Sequence, residues 1–104
     1  MTHTVGTKTN FQAEVTDFQG KVLVDFWASW CGPCQSLGPV LEQLVEANPG
    51  KFKLVKVNVD EEQELAMQYQ ISSIPAVYVF ENGQQKDVIV GFNQPDRYKQ
   101  ALGL

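Results

Sequence analysis

Apolar residues fill nearly every position from Val22 to Ala28. That is the pattern of a strand covered on both faces, and its one charged exception is Asp25. Further on, Leu37, Val40, Leu41, Leu44 and Val45 recur at the spacing of one helical face. They predict a helix from Pro33 to Ala47, closed by Asn48-Pro49-Gly50. Its internal Gly38-Pro39 removes a hydrogen bond to the carbonyl of Gln35 and predicts a kink.

The remaining elements follow from the same patterning. Thr9 and Gln12 have capping-box spacing, so a first helix is expected there with Phe11, Val15 and Phe18 inward. Gly20 breaks it. Lys53 to Val59 is β-rich, with Val55, Val57 and Val59 on one face. Asp60 with Gln63 opens a third helix to Tyr69, with Leu65, Ala66 and Tyr69 inward. Ala76 to Phe80 reads as a strand, and Asn82-Gly83 is a hairpin signal that returns Lys86 to Val90 antiparallel. Asn93 to Leu102 closes the chain as a helix, with Pro95 in its first turn and Tyr98 and Leu102 inward. A short first strand within Thr2 to Gly6 has little pattern of its own. The order is α-β-α-β-α-β-β-α: a parallel βαβ unit, with a right-handed crossover expected, then a hairpin and a helix. The fold class is α/β, a mixed central sheet of four to five strands flanked by four helices.

Composition narrows the setting. The 104 residues suit one domain, 1–104, with its own core. No run approaches a membrane span, and Met1 to Asn10 is polar, without the apolar segment of a secretory signal. A cytoplasmic protein is therefore expected. The net charge of −4 argues against nucleic-acid binding.

The chemistry lies in Trp30-Cys31-Gly32-Pro33-Cys34, which holds both cysteines of the chain. It sits where a strand hands over to a helix N-terminus, where free N–H groups and the helix dipole stabilise a thiolate. Residues three apart on a helical turn have Cβ atoms about 5–6 Å apart, and a disulfide wants about 3.5–4.5 Å. A modest tightening of the first turn allows both redox states. Pro33 suits that turn because its missing N–H has no helical partner there. Gly32 lets the backbone approach another chain closely. In a reducing compartment such a pair reads as redox-active rather than structural. Asp25, a carboxylate in a buried strand, is costly unless paired or protonated, and burial raises its pKa. It is thus placed to take a proton from Cys34, or else to be held by Lys56 from the neighbouring strand. Ile74-Pro75, from sequence alone, is expected to be trans.

Val24-Asp25-Phe26-Trp27-Ala28-Ser29-Trp30-Cys31-Gly32-Pro33-Cys34, together with Pro39, Ile74-Pro75 and Gly91, resembles the thioredoxin family over nearly the whole chain. The resemblance implies a single thioredoxin domain that reduces protein disulfides. Cys31 matches the exposed attacking thiol and Cys34 the buried resolving thiol. Asp25 matches the proton acceptor, paired with Lys56. Ile74-Pro75 matches a cis-proline whose loop faces the cysteines. Trp30, Gly32, Pro33, Ile74, Pro75, Ala76, Gly91 and Phe92 would border the substrate groove, with Trp27 packed beneath. Gly91 equally suits a strand end. No bound cofactor is implied. Reducing equivalents would come from NADPH through a flavoprotein thioredoxin reductase, and the partners would be that reductase and disulfide-containing client proteins, with the chain acting as a monomer. Gln35, Ala76 and Phe92 depart from the common pattern, where a basic residue, a threonine and a smaller residue are usual.

Two rival functions remain. A thioredoxin-like interaction or co-chaperone module is suggested by the stretches 37–42 and 55–60, which resemble thioredoxin domains attached to helical-repeat co-chaperones; the chain ends at Leu104 with no repeat following, which favours the stand-alone reductase unless this is an excised domain. A zinc site needs four ligands, and Cys31, Cys34 and His3 do not supply them in one chain.

Overall fold

The apolar run of the sequence becomes the centre of a sheet. The computed structural model describes residues 3–104. Five strands, β1 (Thr4–Val5), β2 (Lys21–Trp27), β3 (Lys53–Asn58), β4 (Ala76–Glu81) and β5 (Gln84–Val90), lie in the order β1-β3-β2-β4-β5. β2 pairs parallel with β3 and antiparallel with β4, so both its edges are bonded. Helix α1 (Gly32–Ala47) links β2 to β3, α2 (Gln63–Gln68) links β3 to β4, and α3 (Pro95–Leu102) follows β5. A π-helical segment, Gln12–Thr16, precedes β2 and makes the fourth helix. No described helix is long and apolar enough to cross a membrane.

Alternation along β2 divides the core in two. Val22, Val24 and Phe26 pack with Phe11, Val15 and Leu65 under the π-helical segment and α2. Leu23 packs with Leu37, Leu41, Tyr98 and Leu102 under α1 and α3. Side chains two apart share a sheet face, so Asp25 lies on the α1 side. Its register partners are Lys56 on β3 and Val77 on β4.

The helix starts differ from the sequence reading. Thr9 does not cap the first helix. Thr7 and Asn10 form the reciprocal pair instead: the Thr7 amide donates to Asn10 Oδ1 (2.7 Å) and the Asn10 amide to Thr7 Oγ1 (3.3 Å). The chain therefore starts to turn two residues earlier, and the turn underwinds to the wider π geometry. Asp60 likewise does not cap α2, whose N-cap is Glu62 without a side-chain bond. Asn58 Oδ1 accepts from the Asp60 and Glu61 amides and satisfies the turn before the helix begins. The inward residues are as expected: Phe11, Val15 and Leu65 are buried, and Phe18 and Tyr69 pack against them. The part of the expected first strand that falls on Thr2 lies outside the described residues. Thr4–Val5 of that stretch pairs with β3.

α1 runs through Pro39 as one element. α3 begins at Pro95 and ends at Gly103 (φ +73°). There the Gly103 amide donates to the Gln100 carbonyl and the Leu104 amide to that of Lys99, the Schellman arrangement. The hairpin forms on Asn82 (φ +53°) and Gly83 (φ +82°), the two left-handed residues of a type I′ turn. β5 starts at Gln84, earlier than Lys86, because the two-residue turn pairs Gln84 directly with Glu81; Lys86 is the extra residue of a bulge opposite Val79 and Phe80.

Gly83 also meets the π-helical segment. A Cβ there would lie 2.2 Å from the Thr16 carbonyl oxygen. Gly83→Ala is therefore expected to destabilise the fold by about 2 kcal/mol or more, read as a lower urea midpoint. An unchanged midpoint would disprove the close approach.

Candidate active site

β2 ends at Trp27, and the next three residues turn the chain into α1. The Cys31 amide donates to the Ala28 carbonyl at 3.2 Å, which closes that turn. Cys31 is then the N-cap of α1 in an extended conformation, φ −93° and ψ 109°. The Cys34 amide donates to Cys31 Sγ at 3.2 Å. A sulfur thus takes the place of the side-chain oxygen that usually caps a helix, and one otherwise orphaned N–H points at it. Negative charge on that sulfur is favoured for the same reason. Cys31 and Cys34 are joined as a disulfide with Cα atoms 5.2 Å apart.

The pair is less open than the resemblance implied. In the disulfide form Cys31 is 5% exposed, hardly more than Cys34 at 3%. The two pack with Ala28 against Trp27, Val59 and Ile74. The correction has a simple cause: the capping position turns Cys31 Sγ back over the first turn of the helix, and the 74–75 loop covers it.

That loop carries the cis Ile74-Pro75 bond. The trans bond expected from sequence alone is thus corrected, and the cis bond implied by the resemblance is present. The Ile74 carbonyl oxygen lies 3.9 Å from Cys31 Sγ. The Pro75 carbonyl accepts from the Gly91 amide at 2.8 Å, so the start of β4 and the end of β5 are tied beside the disulfide. Gly91 has φ +85°, a left-handed conformation that disfavours side chains. A Cβ on Gly32 or Gly91 would meet nothing within 4 Å, so both backbones face open space.

The proposed border residues divide. Trp30 is 70% exposed and Phe92 43%, and Gly32 and Pro33 are exposed as well. Ile74 is half-buried, whereas Pro75 is buried. Ala76 is 3% exposed and packs in the core beside Tyr78, so its side chain does not border the groove. As the first residue of β4, opposite Phe26, it has to face inward. Trp30 is oriented by its Nε1–H, which donates to Asp60 Oδ2 at 2.9 Å. Gln35 turns back, its Nε2 donating to the Ser29 carbonyl. It ties α1 to the turn before it.

Asp25 is fully buried, and neither carboxylate oxygen has a hydrogen-bond partner. Burial pushes its pKa up to about 7; Lys56 draws it down and Glu42 raises it further. The expected direct pairing with Lys56 is not formed. The two are neighbours in register, but the Lys56 ammonium sits 5.3 Å from the centre of the Trp27 ring. Gly38 gives it a seat against α1, where a Cβ would lie 3.3 Å from Nζ. Lys56 therefore acts on Asp25 through space. Trp27, Cys34, Gln35, Gly38, Pro39, Glu42 and Lys56 line an open cleft of about 360 Å³.

Sequence reading passed over two groups here. Glu42 reaches the cleft because Cys34, Gly38 and Glu42 follow one another at four-residue steps along α1, the spacing of a single helical line. Extending that line from Cys34 was the available signal. Asp60 had none, because its bond to Trp30 bridges two separate loops.

Asp25 has consequences for stability that depend on pH. The unfolded carboxyl releases its proton near 3.8 and the folded one near 7. Between these values the native state binds more protons, so stability falls as pH rises. Above 7 the full cost is present, with a ceiling of about 4 kcal/mol. Asp25→Asn mimics the protonated group. It is expected to be more stable than the parent at pH 8 and to lose that advantage by pH 4, measured by urea unfolding across pH. Equal stability at pH 8 would contradict the raised pKa.

Comparison with known proteins agrees with this geometry. Residues 2–103 match the family described as Thioredoxin. Thioredoxin 1 of Nostoc sp. is 48% identical over 96 residues, covering 92% of this chain and 90% of that protein. The thioredoxin of Chlorobaculum thiosulfatiphilum is 52% identical over 85 residues, covering 82% of this chain and 79% of its own. A thioredoxin of Staphylococcus aureus is 44% identical over 91 residues, covering 83% and 88%. With its redox disulfide capping α1 beside a cis-proline loop, the chain belongs to the thioredoxin family.

Proposed function

We propose that Cys31 is the attacking thiol and Cys34 the resolving thiol of this protein-disulfide reductase. In the reduced protein the Cys31 thiolate attacks one sulfur of a client disulfide. A Cys31–client disulfide forms, and the other client sulfur leaves as a thiolate. Cys34 then gives its proton to the Asp25 carboxylate and attacks Cys31 Sγ. The Cys31–Cys34 bond forms, the client's second thiolate leaves, and the two electrons have passed to the client. The observation that carries this reading is the Cys31–Cys34 disulfide at the N-terminus of α1, with the Ile74 carbonyl 3.9 Å from the outer sulfur.

The groups around the pair support the rest. An extended client segment fits beside the 74–75 loop, pairing with the Ile74 backbone as an added strand. Trp30, Gly32, Pro33, Phe92 and the Gly91 backbone give it an apolar surround. Asp25 has the proton affinity of a base working near neutral pH. Lys56 draws that affinity down through space rather than through a bond. The oxidised pair is returned to dithiol by a flavoprotein thioredoxin reductase fed by NADPH, with no cofactor bound to this chain. The setting is cytoplasmic, and the chain acts as a single monomeric domain.

Replacing Cys34 separates these roles. Cys34→Ser is expected to trap a Cys31–client disulfide, seen by mass spectrometry as an adduct released by reductant. Cys31→Ser is expected to give no adduct and no turnover. Adduct formation at Cys34 in Cys31→Ser, at the rate seen in Cys34→Ser, would reverse the assignment. In the intact pair, Asp25→Asn is expected to slow resolution of the mixed disulfide at least about tenfold. An unchanged rate would remove Asp25 as the base.

A further inference from the structure

The cleft under α1 brings together two charged side chains of opposite sign. Lys56 enters from β3 and is seated against Gly38. Glu42 enters from α1, one helical line down from Cys34. The Glu42 carboxylate is held by a hydrogen bond between its Oε2 and His3 Nδ1, from the segment that leads into β1. Next to this cleft lies the fully buried Asp25, whose oxygens have no hydrogen-bond partner. With no local bond to set its charge, Asp25 responds to the field of its neighbours. In a buried setting that field is weakly screened.

We propose that Glu42 is a positioning residue for the proton transfer from Cys34: its carboxylate, tethered by His3, offsets Lys56 and keeps Asp25 a competent proton acceptor at neutral pH. The inference rests on the reading of Asp25 as the base. Lys56 alone would favour the ionised carboxylate and weaken it as a base. A second negative charge across the cleft opposes this, and its effect on Asp25 has the required sign.

The groups facing Asp25 are few. α1 supplies Glu42, with Cys34 on the same helical line, β3 supplies Lys56, and α3 supplies Tyr98, whose ionisation is disfavoured by burial first and by the Asp25 charge second. β4 presents Val77, which does not titrate. His3 reaches Glu42 from the N-terminal segment. Glu42 is not part of either apolar core, and Glu42→Gln keeps its size, so its charge can be removed without opening the core.

The test is the titration of the Asp25 carboxyl in the reduced full chain, followed by carbon NMR, alongside the pH profile of mixed-disulfide resolution. Glu42→Gln is expected to lower the Asp25 midpoint by about half a pH unit, and the acid limb of the resolving step should move with it. Glu42→Asp, which keeps the charge, should return most of that shift. A Glu42→Gln midpoint that superimposes on the parent's would overturn the proposal. So would equal shifts in Glu42→Gln and Glu42→Asp, since shape rather than charge would then be responsible. Asp25→Asn separates this from failure of the base assignment. If it flattens the pH profile while Glu42→Gln moves nothing, only the role of Glu42 is lost. If Asp25→Asn keeps the parent's profile, the base assignment falls and the role of Glu42 falls with it.

Discussion

Strand β2 is hydrogen-bonded along both edges and covered on both faces, and the site is built outward from that placement. Its pairing with β3 sets Asp25 beside Lys56, and its pairing with β4 sets the start of the 76–81 strand, hence the 74–75 loop, at the same end of the sheet. Its C-terminal end launches the turn that makes Cys31 the cap of α1. The register is held by Val22, Val24 and Phe26 on one face and Leu23 on the other, all fully buried. A slip of one residue would exchange these two sets and carry Asp25 to the face opposite the cysteines.

The same burial that fixes the register makes Asp25 expensive. Two oxygens without partners in a closed interior are among the less favourable arrangements a fold contains. The cost is tolerated at one position of β2, on the α1 side of the sheet, and it leaves a carboxyl that holds its proton far above the usual range. Lys56 and Glu42 act on it with opposite signs and without touching it. Reactivity here is tuned by field rather than by bonds. The sulfur side is different: Cys31 is governed by a local bond, the Cys34 amide that caps onto it.

How much of this could be read from the sequence depends on the range of the signal. The apolar run of β2, the helical stripe from Leu37 to Leu44 and the Asn82-Gly83 hairpin are local patterns, and they placed the main elements and the cysteine pair. Capping was harder, because several polar residues compete within a few positions. Thr7 with Asn10 won over Thr9 with Gln12, and Asn58 rather than Asp60 took the turn before α2. The inward turn of Ala76 and the seat of Lys56 against Gly38 depend on packing between distant segments. The pattern along the chain carries no trace of either. The cis bond at Ile74-Pro75 was legible only through resemblance to a family, since local preference favours the other isomer.

The hairpin at Asn82-Gly83 has a bearing on how the sheet assembles. β4 and β5 meet across a two-residue turn, whereas β2 must wait for the chain through α1 to bring β3 alongside and for a still longer stretch to bring β4. Loop closure is costly before the contacts it allows are made. Among the described residues the hairpin is therefore the one piece of sheet able to form from neighbouring residues alone. A circular permutant opened at Asn82-Gly83 would leave the strand pairings of the folded state in place. It would also turn the only short-range strand pairing among the described residues into a long-range one, so that no part of the sheet could then close without a long loop.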